Sequence, residues 1–542
     1  MDEDTSEIDA IIESVGNEGK FQYRFYIIFS FLLPLFAAMP TQNFINALAI
    51  PDHWCFVPGR EFTNFTLGEW KLLHLPKEYD SIGVLGYSKC KMFNGSSEVI
   101  KCQHGWEFDK TWYEMTIPMQ KAWVCDDSFQ VTNTFIFSKI GEAIGTFIFG
   151  QLADTIGRKP VFFMSVMTVV VGRMLLIFTS FSTILFFLAM SFGSFSTNSI
   201  LQSPLITGLE ISKTDKRARI AMIHSIGGTI GYCILPLAMW WLNDWKLFTA
   251  VTTLPCILFM LTVKFFIESP RWLASKGKTS RCVKELGKIA KINGKELPEN
   301  LAYDISNLPK EDEKVYGVLG LFSSWRLSKN TLCLMSGWAS TTFIFVTLTF
   351  NVTNLEGNPF MNFFWQGAAE LPAWFIGKYA CDKIGRRWTN ISAFLATFVG
   401  CLFILVIIHD ETQQLTVSAI CVFLKFCVAF ASYVVNLQSM EIYPTCIRQV
   451  GISLGGILAN VSGIMAPYVV FLGIEIDASY PYALSAILGF LGIIFGLFLP
   501  ETLNHKLPET LTEAAAFGAN QNFFGKEKRR DTVDQYEMSL KS

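Results

Sequence analysis

Apolar residues in this 542-residue chain gather into long runs and do not alternate with polar ones. Twelve runs stand out. In the first part of the chain they lie at roughly 25–48, 132–153, 160–180, 182–207, 218–243 and 246–267. In the second part they lie at roughly 331–352, 360–381, 389–409, 415–437, 449–473 and 481–500. A helix needs about 20 mostly apolar residues to cross the hydrocarbon core. The runs are too long and too uniformly apolar for barrel strands, and only helices or closed barrels satisfy their backbone groups in lipid. The pattern predicts an all-α membrane protein of twelve transmembrane helices in two six-helix halves. It divides the chain into an N-terminal segment 1–24, a first half 25–267 with a polar loop at 49–131, a polar segment 268–330, a second half 331–500 and a tail 501–542. The start, MDEDTSEIDAIIESVGNEGK, is acidic and polar, so no cleavable signal peptide is expected.

Basic residues follow every second run. Arg158 and Lys159 follow the second run, and Lys213, Lys216, Arg217 and Arg219 the fourth. Lys383, Arg386 and Arg387 follow the eighth, and Arg448 the tenth. Because short cytosolic loops collect Lys and Arg, both termini and 268–330 are expected in the cytosol and 49–131 outside. That outer loop carries sequons at Asn64 and Asn94 and four of the 13 cysteines, Cys55, Cys90, Cys102 and Cys125. An even count in an exported loop predicts two disulfides, with three pairings open. The other cysteines are expected as reduced packing residues. The polar segment 274–330, with KELGKIAKINGKEL inside it, reads as short amphipathic helices. The tail from 515 reads as disordered, with Thr532 and Ser539 as phosphorylation candidates.

Composition narrows the function classes. Apolar residues make up 51% and charged residues 17%, against about 25% charged in a soluble domain. A net charge of −2 lacks the basic excess of a nucleic-acid protein. The expected partners are therefore a lipid bilayer and a small solute, and not nucleic acid. No Walker A sequence, H-E-x-x-H or Cys-x-x-Cys occurs, so neither ATP drive, nor a metal, nor a cofactor, nor an enzyme activity is expected.

One motif occurs twice. Gly150, Asp154, Gly157 and Arg158 follow the second run, and Gly377, Asp382, Gly385 and Arg386 follow the eighth. The shared form is G-x-x-x-(x)-D-x-x-G-R-[RK]. Glycine permits close helix approach, Asp can meet a helix N-terminus or an Arg across the rim, and Gly-Arg makes a tight positive turn. Breaking such contacts favours opening of that side, so these residues are gating candidates.

Further segments carry a family resemblance. They are Pro51-Asp52-His53-Trp54-Cys55, Glu268-Ser269-Pro270-Arg271-Trp272-Leu273, Glu370-Leu371-Pro372, Glu441-Ile442-Tyr443-Pro444-Thr445 before Arg448, Pro500-Glu501-Thr502 and Leu507-Pro508-Glu509-Thr510. Over roughly 20–515 the chain resembles the solute carrier family of organic cation, organic anion and carnitine transporters, within the major facilitator superfamily. The outer loop has four cysteines here where many relatives carry six. The resemblance implies alternating access around a central site at the plasma membrane, with amphipathic organic ions or zwitterions as substrates and Glu441 and Arg448 in the gate.

Ionisable residues inside spans are costly and are functional candidates. Glu142 stands three residues after Lys139 on one helix face, so it either pairs with that lysine or meets a substrate ammonium. The resemblance places it where relatives have an apolar or aromatic cavity residue. Glu370 reads as an electrostatic sink for cations or as one member of a gating pair. His224 reads as a packing residue, a donor to a carboxylate or a group titrating near neutrality. Lys425 matches a basic residue shared by all family branches and reads as structural, while Arg173 and Lys264 are expected at the periphery or snorkelling. By resemblance, Asn460 replaces an Asp of cation transporters and an Arg of anion and carnitine relatives. Trp338, Phe345, Trp365 and Tyr433 can wall a cavity suited to ammonium groups.

These residues favour a secondary transporter of small organic cations or amine-bearing zwitterions. The alternatives are an organic anion carrier using Lys139, His224 or Lys425, and a non-transporting receptor or scaffold that kept the fold. Proton coupling, sodium coupling and uniport are all left open.

Overall fold

The computed structural model describes residues 7–94, 98–212, 216–298, 301–307, 318–444, 447–503, 508 and 511–518. The phosphorylation candidates Thr532 and Ser539 lie outside them, as do Lys213, Thr445, Leu507, Glu509 and Thr510.

Each apolar run becomes a helix. Spans 1 to 6 are Lys20–Ala47, Phe129–Ile156, Arg158–Phe178, Thr183–Glu210, Arg217–Leu242 and Trp245–Lys264. Spans 7 to 12 are Trp325–Phe350, Pro359–Ile384, Arg386–Ile407, Gln414–Ile442, Arg448–Glu475 and Tyr480–Phe498. Span 1 widens into a π-helical stretch, Tyr26–Leu32, just before Pro34, which has no N–H for the ladder. Span 6 tightens to a 3-10 helix over Leu254–Lys264, with Pro255 as its second residue. Ten of the twelve are long and apolar enough to cross a membrane by length and hydropathy. The two that fall short are spans 2 and 8. Their sequences hold Lys139, Glu142 and Asp154, and Glu370, Lys378, Asp382 and Lys383.

The polar loop after span 1 is a small domain with strands that the apolar pattern did not signal. His53–Cys55 pairs antiparallel with Trp106–Phe108, Lys77–Tyr79 with Leu85–Tyr87, and Lys91–Asn94 with Glu98–Lys101. Its apolar cluster is small, centred on Trp54, Cys55, Leu75 and Met92. A core of that size holds a domain poorly without cross-links. Two disulfides supply them, Cys55–Cys102 and Cys90–Cys125, one of the three pairings open in the sequence. His53 approaches Cys90 and Cys125, but both sulfurs are spent in that disulfide. Asn64 is exposed on this domain, and so is Asn94 at the end of its strand.

The segment after span 6 forms the helices Pro270–Ser275, Thr279–Asn293 and Leu301–Asn307. Cys282, Leu286, Ile289 and Ala290 form the buried face of the second. Ile12 and Val15 of the N-terminal segment join the same apolar cluster. The Asn293 amide locks this junction: Nδ2 donates to Gly16 O at 3.0 Å and Oδ1 accepts from Phe21 N–H at 2.9 Å.

One apolar cluster runs through both halves, and it lies at the end that carries the disulfide domain. There Phe135 stacks on Phe350 at 4.2 Å, Phe129 meets Phe471 at 5.2 Å, and Tyr113 and Trp240 both reach Phe360. The domain itself spans the halves: Ser81 O accepts from Ala478 N–H at 3.1 Å. Among the described residues, the hydrogen bonds and ring contacts between halves all lie in this half of the molecule. Toward the other end the apolar clusters stay within one half. The molecule is thus closed on the side of the disulfide domain and open on the opposite side.

Candidate functional site

At the open end each half carries a clasp built on the repeated motif. Gly157 and Gly385 have φ of +109° and +98°, in the region that disfavours side chains. A Cβ there would come within 2.3 Å of Glu268 Oε2 and 2.5 Å of Glu501 Oε2. The glycines let a carboxylate cover the N-terminus of the next span. Glu268 accepts from the Arg158 N–H at 2.8 Å and the Lys159 N–H at 3.2 Å. Glu501 accepts from the Arg386 N–H at 2.8 Å and the Arg387 N–H at 3.1 Å. The arginine side chains then reach a second acid, Arg158 to Glu210 at 3.0 Å and Arg386 to Glu441 at 3.1 Å. Ser269 and Thr502 hydroxyls donate to those same acids. Arg217 and Arg448 each donate to a nearby carbonyl, Leu209 O at 3.2 Å and Tyr443 O at 3.1 Å. Burial raises the Glu268 carboxyl above its ordinary range, while the N–H groups of Arg158, Ser269 and Lys159 pull it back.

Of the two partners expected for the motif's aspartates, a helix N-terminus or an Arg, neither aspartate takes the N-terminus. Asp154 is exposed, and its carbonyl accepts from the Trp272 indole at 3.2 Å. Asp382 lies 3.7 Å from the side chain of Arg386, the first residue of span 9. Each sits in the last turn before the glycine, while Glu268 and Glu501 arrive from the following chain end and cover the N–H groups. Gly150 is also not the point of close approach, since a Cβ there would meet nothing within 4 Å. Span 2 approaches span 4 at Gly141 and Gly145 instead. Glu210, Glu268 and Glu501 were missed as partners in the sequence. The signal was present: Glu210 precedes Arg217 by seven residues, as Glu441 precedes Arg448.

Deeper in the second half an ion pair joins two spans. Glu370 lies 11 residues into span 8, about 16 Å from its end and so near the midplane. Lys425 of span 10 is fully buried, with Nζ 3.6 Å from Glu370 Oε1. The same Nζ donates to the Thr349 hydroxyl and stands 3.1 Å from the Phe345 ring centre. Tyr232, from span 5 of the other half, brings its ring to 5.8 Å from Nζ and stacks on Phe363 at 4.5 Å. At an effective dielectric near 20, such a pair attracts by about 4 kcal/mol, offsetting the desolvation of both groups. The Lys425 cluster therefore couples spans 5, 7, 8 and 10 just inside the closed end.

The first half holds a second polar group. Lys139 and Glu142 pair at 2.8 Å along span 2. Arg173, expected at the periphery, is wholly buried. It lies five residues from the end of span 3, and its side chain turns inward against Met190 and Ser194 of span 4 and the Phe44 ring of span 1. Its guanidinium donates to Ser194 Oγ at 3.3 Å, and Ser194 meets Ser138 of span 2 at 2.8 Å.

Of the predicted cavity residues, Phe345 and Glu370 come together. Trp338 and Tyr433 share the second half's own apolar cluster, where Trp338 Nε1 donates to Ser439 at 3.0 Å and Tyr433 meets Trp374 edge-on. Trp365 stands apart, 56% exposed and edge-on to Phe364. His224 is half-buried with Nδ1 unpartnered, and Asn460 is half-buried without a side-chain hydrogen bond to a described residue. Lys264 is exposed at the end of span 6. Sequence reasoning missed Tyr232 and Thr349. It also missed Gln366, fully buried with neither amide atom partnered among the described residues, although a polar amide in an apolar run is a readable signal.

Twelve helices in two six-helix halves, paired clasps and an ion pair at mid-depth define a secondary carrier of the major facilitator fold, a membrane transporter and not an enzyme. Residues 87–514 match the sugar (and other) transporter family, and the chain belongs to it. It is 28% identical to the β-alanine transporter of Drosophila melanogaster, with 94% of this chain and 89% of that protein covered. It is 27% identical to organic cation transporter 1 of Caenorhabditis elegans, over 94% and 89%. It is also 27% identical to the human organic cation/carnitine transporter 2, over 93% of each. The fold matches the inward-open xylose transporter XylE from E. coli with a TM-score of 0.58 at 15% identity, over 91% of this chain and 99% of that one.

Proposed function

We propose that this protein carries small organic cations and amine-bearing zwitterions across the plasma membrane by alternating access, with both termini in the cytosol. The observation that carries the reading is the Glu370–Lys425 pair beneath Phe345 and Tyr232. An ammonium group arriving at Glu370 does what Lys425 does in the closed arrangement: it neutralises the acid and lies against an aromatic face. Relatives named for β-alanine, organic cations and carnitine support an amine as the shared chemistry. The neutral Asn460 leaves the interior of span 11, between Arg448 and Glu475 at its ends, without a fixed charge of either sign.

Uptake of labelled tetraethylammonium, β-alanine and carnitine in expressing cells tests this. Glu370→Gln should lower uptake of the transported amine by about tenfold or more, the value of one charged hydrogen bond. Unchanged uptake, or preference for dicarboxylates and aryl anions, defeats the reading. One observation favours organic anions instead: within its spans the first half holds the buried Arg173 and the half-buried Lys139 against the single neighbouring acid Glu142.

A further inference from the structure

Away from the ion pair, a cavity of about 230 Å³ opens at the clasp end of the second half, between the starts of spans 7 and 9 and the end of span 12. Arg326, Lys329, Asn330 and Arg387 line it together with Leu497 and Phe498. Three cations face it, and none of its lining residues is acidic. Arg387 shares its charge with Glu501 and donates to Leu497 O, so the surplus rests on Arg326 and Lys329. Lys329 is half-buried, and its charged neighbours include both arginines. Among the described residues it forms no ion pair. Holding like charges together in a partly desolvated space is unfavourable until an anion joins them.

Phe498 of the cavity lining is 51% exposed at the end of span 12, and Trp325, the residue before Arg326 at the start of span 7, is 83% exposed. Exposed Trp at the end of a span marks the headgroup level of a bilayer. A cation-lined well whose other walls include Leu497, Phe498 and Leu499, beside an exposed Trp at that level, fits a phosphate that hangs from an acyl-chain-bearing molecule.

We propose that this cavity binds a phosphate group, supplied by the headgroup of an anionic lipid in the adjacent leaflet or by phosphate free in solution. The purified full-length transporter is placed in phosphatidylcholine nanodiscs with and without phosphatidylinositol bisphosphate, and bound lipid is counted by native mass spectrometry. Wild type should retain the phosphoinositide over phosphatidylcholine. The double variant R326Q/K329Q should lose retention by about fivefold per cation removed, while R326K/K329R keeps it. Stabilisation by millimolar inorganic phosphate matching that by the lipid would assign the site to free phosphate; stabilisation by the lipid alone assigns it to the headgroup. If R326Q/K329Q fails to fold, displacement of the lipid from wild type by excess inositol trisphosphate serves as the second measurement. Equal retention by wild type and R326Q/K329Q, or no displacement, overturns the proposal.

Discussion

The two halves are alike at their rims and unlike at their centres. At the rim each glycine with positive φ admits a carboxylate, each carboxylate covers two N–H groups, and each arginine reaches a second acid. At mid-depth the second half pairs Glu370 with a lysine from another span, while the first half pairs Glu142 with a lysine three residues away. A pair between spans changes when the spans move. A pair within one helix travels with it and is indifferent to the conformation. The repeated clasp therefore reads as scaffold common to both halves, and under the proposed function the asymmetric centre is where substrate would be distinguished.

The largest expected effect breaks the second pair. Lys425→Met leaves Glu370 buried beside Phe345 with no cation, which costs about 3–5 kcal/mol. Thermal unfolding in detergent should show a drop of several degrees or failure to purify as a monodisperse protein. The double variant K425M/E370Q should recover most of it, because both charges leave together. A single variant as stable as wild type would mean that the pair is not fully desolvated and that the contrast between the halves is overstated.

Much of this was legible in the chain. Apolar runs located twelve helices with ends off by at most six residues, and spans 2 and 8 were marked by their own charges. The doubled motif located both clasps, because a glycine that must take positive φ before an arginine recurs at equivalent places. The Lys139–Glu142 pair was readable from spacing alone. The Glu370–Lys425 pair was not: 55 residues and the whole of span 9 separate its members, and no periodicity links them. The strands of the outer domain escaped because their residues are held by disulfides and by very short ladders, with little apolar alternation to read. Arg173 was misjudged because depth within a span does not reveal which side of the helix faces its neighbours.

A smaller effect tests the likeness of the rims. Gly157→Ala and Gly385→Ala each force a Cβ into the space of a capping carboxylate at a backbone angle that side chains disfavour. Each should cost about 1–3 kcal/mol, and the two should agree to within about 1 kcal/mol if the clasps are equivalent. Melting temperatures of the two single variants make the comparison. A large difference would show that one clasp carries more of the open-side structure than the other. The raised Glu268 carboxyl gives that difference a direction. An acid that burial makes easier to protonate in the folded chain contributes more stability as pH falls through its folded value. Moving from neutral to mildly acidic buffer should therefore widen the cost of Gly157→Ala, because the variant, with that carboxylate expelled toward water, does not share the gain.

The smallest effect is expected at Glu142, and it decides whether the first half takes part in recognition. Its lysine stands three residues away, and helix pairs of this kind contribute under about 1 kcal/mol. Glu142→Gln should leave amine uptake within about twofold of wild type and melting within a few degrees, far from the loss expected for Glu370→Gln. The substitution also leaves Lys139 and Arg173 as two cations with no acid between them. Uptake of carboxylate-bearing zwitterions such as β-alanine should then hold or rise relative to tetraethylammonium, because the change adds positive field without touching Glu370. If Glu142→Gln instead abolishes tetraethylammonium uptake while Glu370→Gln spares it, the substrate ammonium meets span 2, and the local pair is the one that opens.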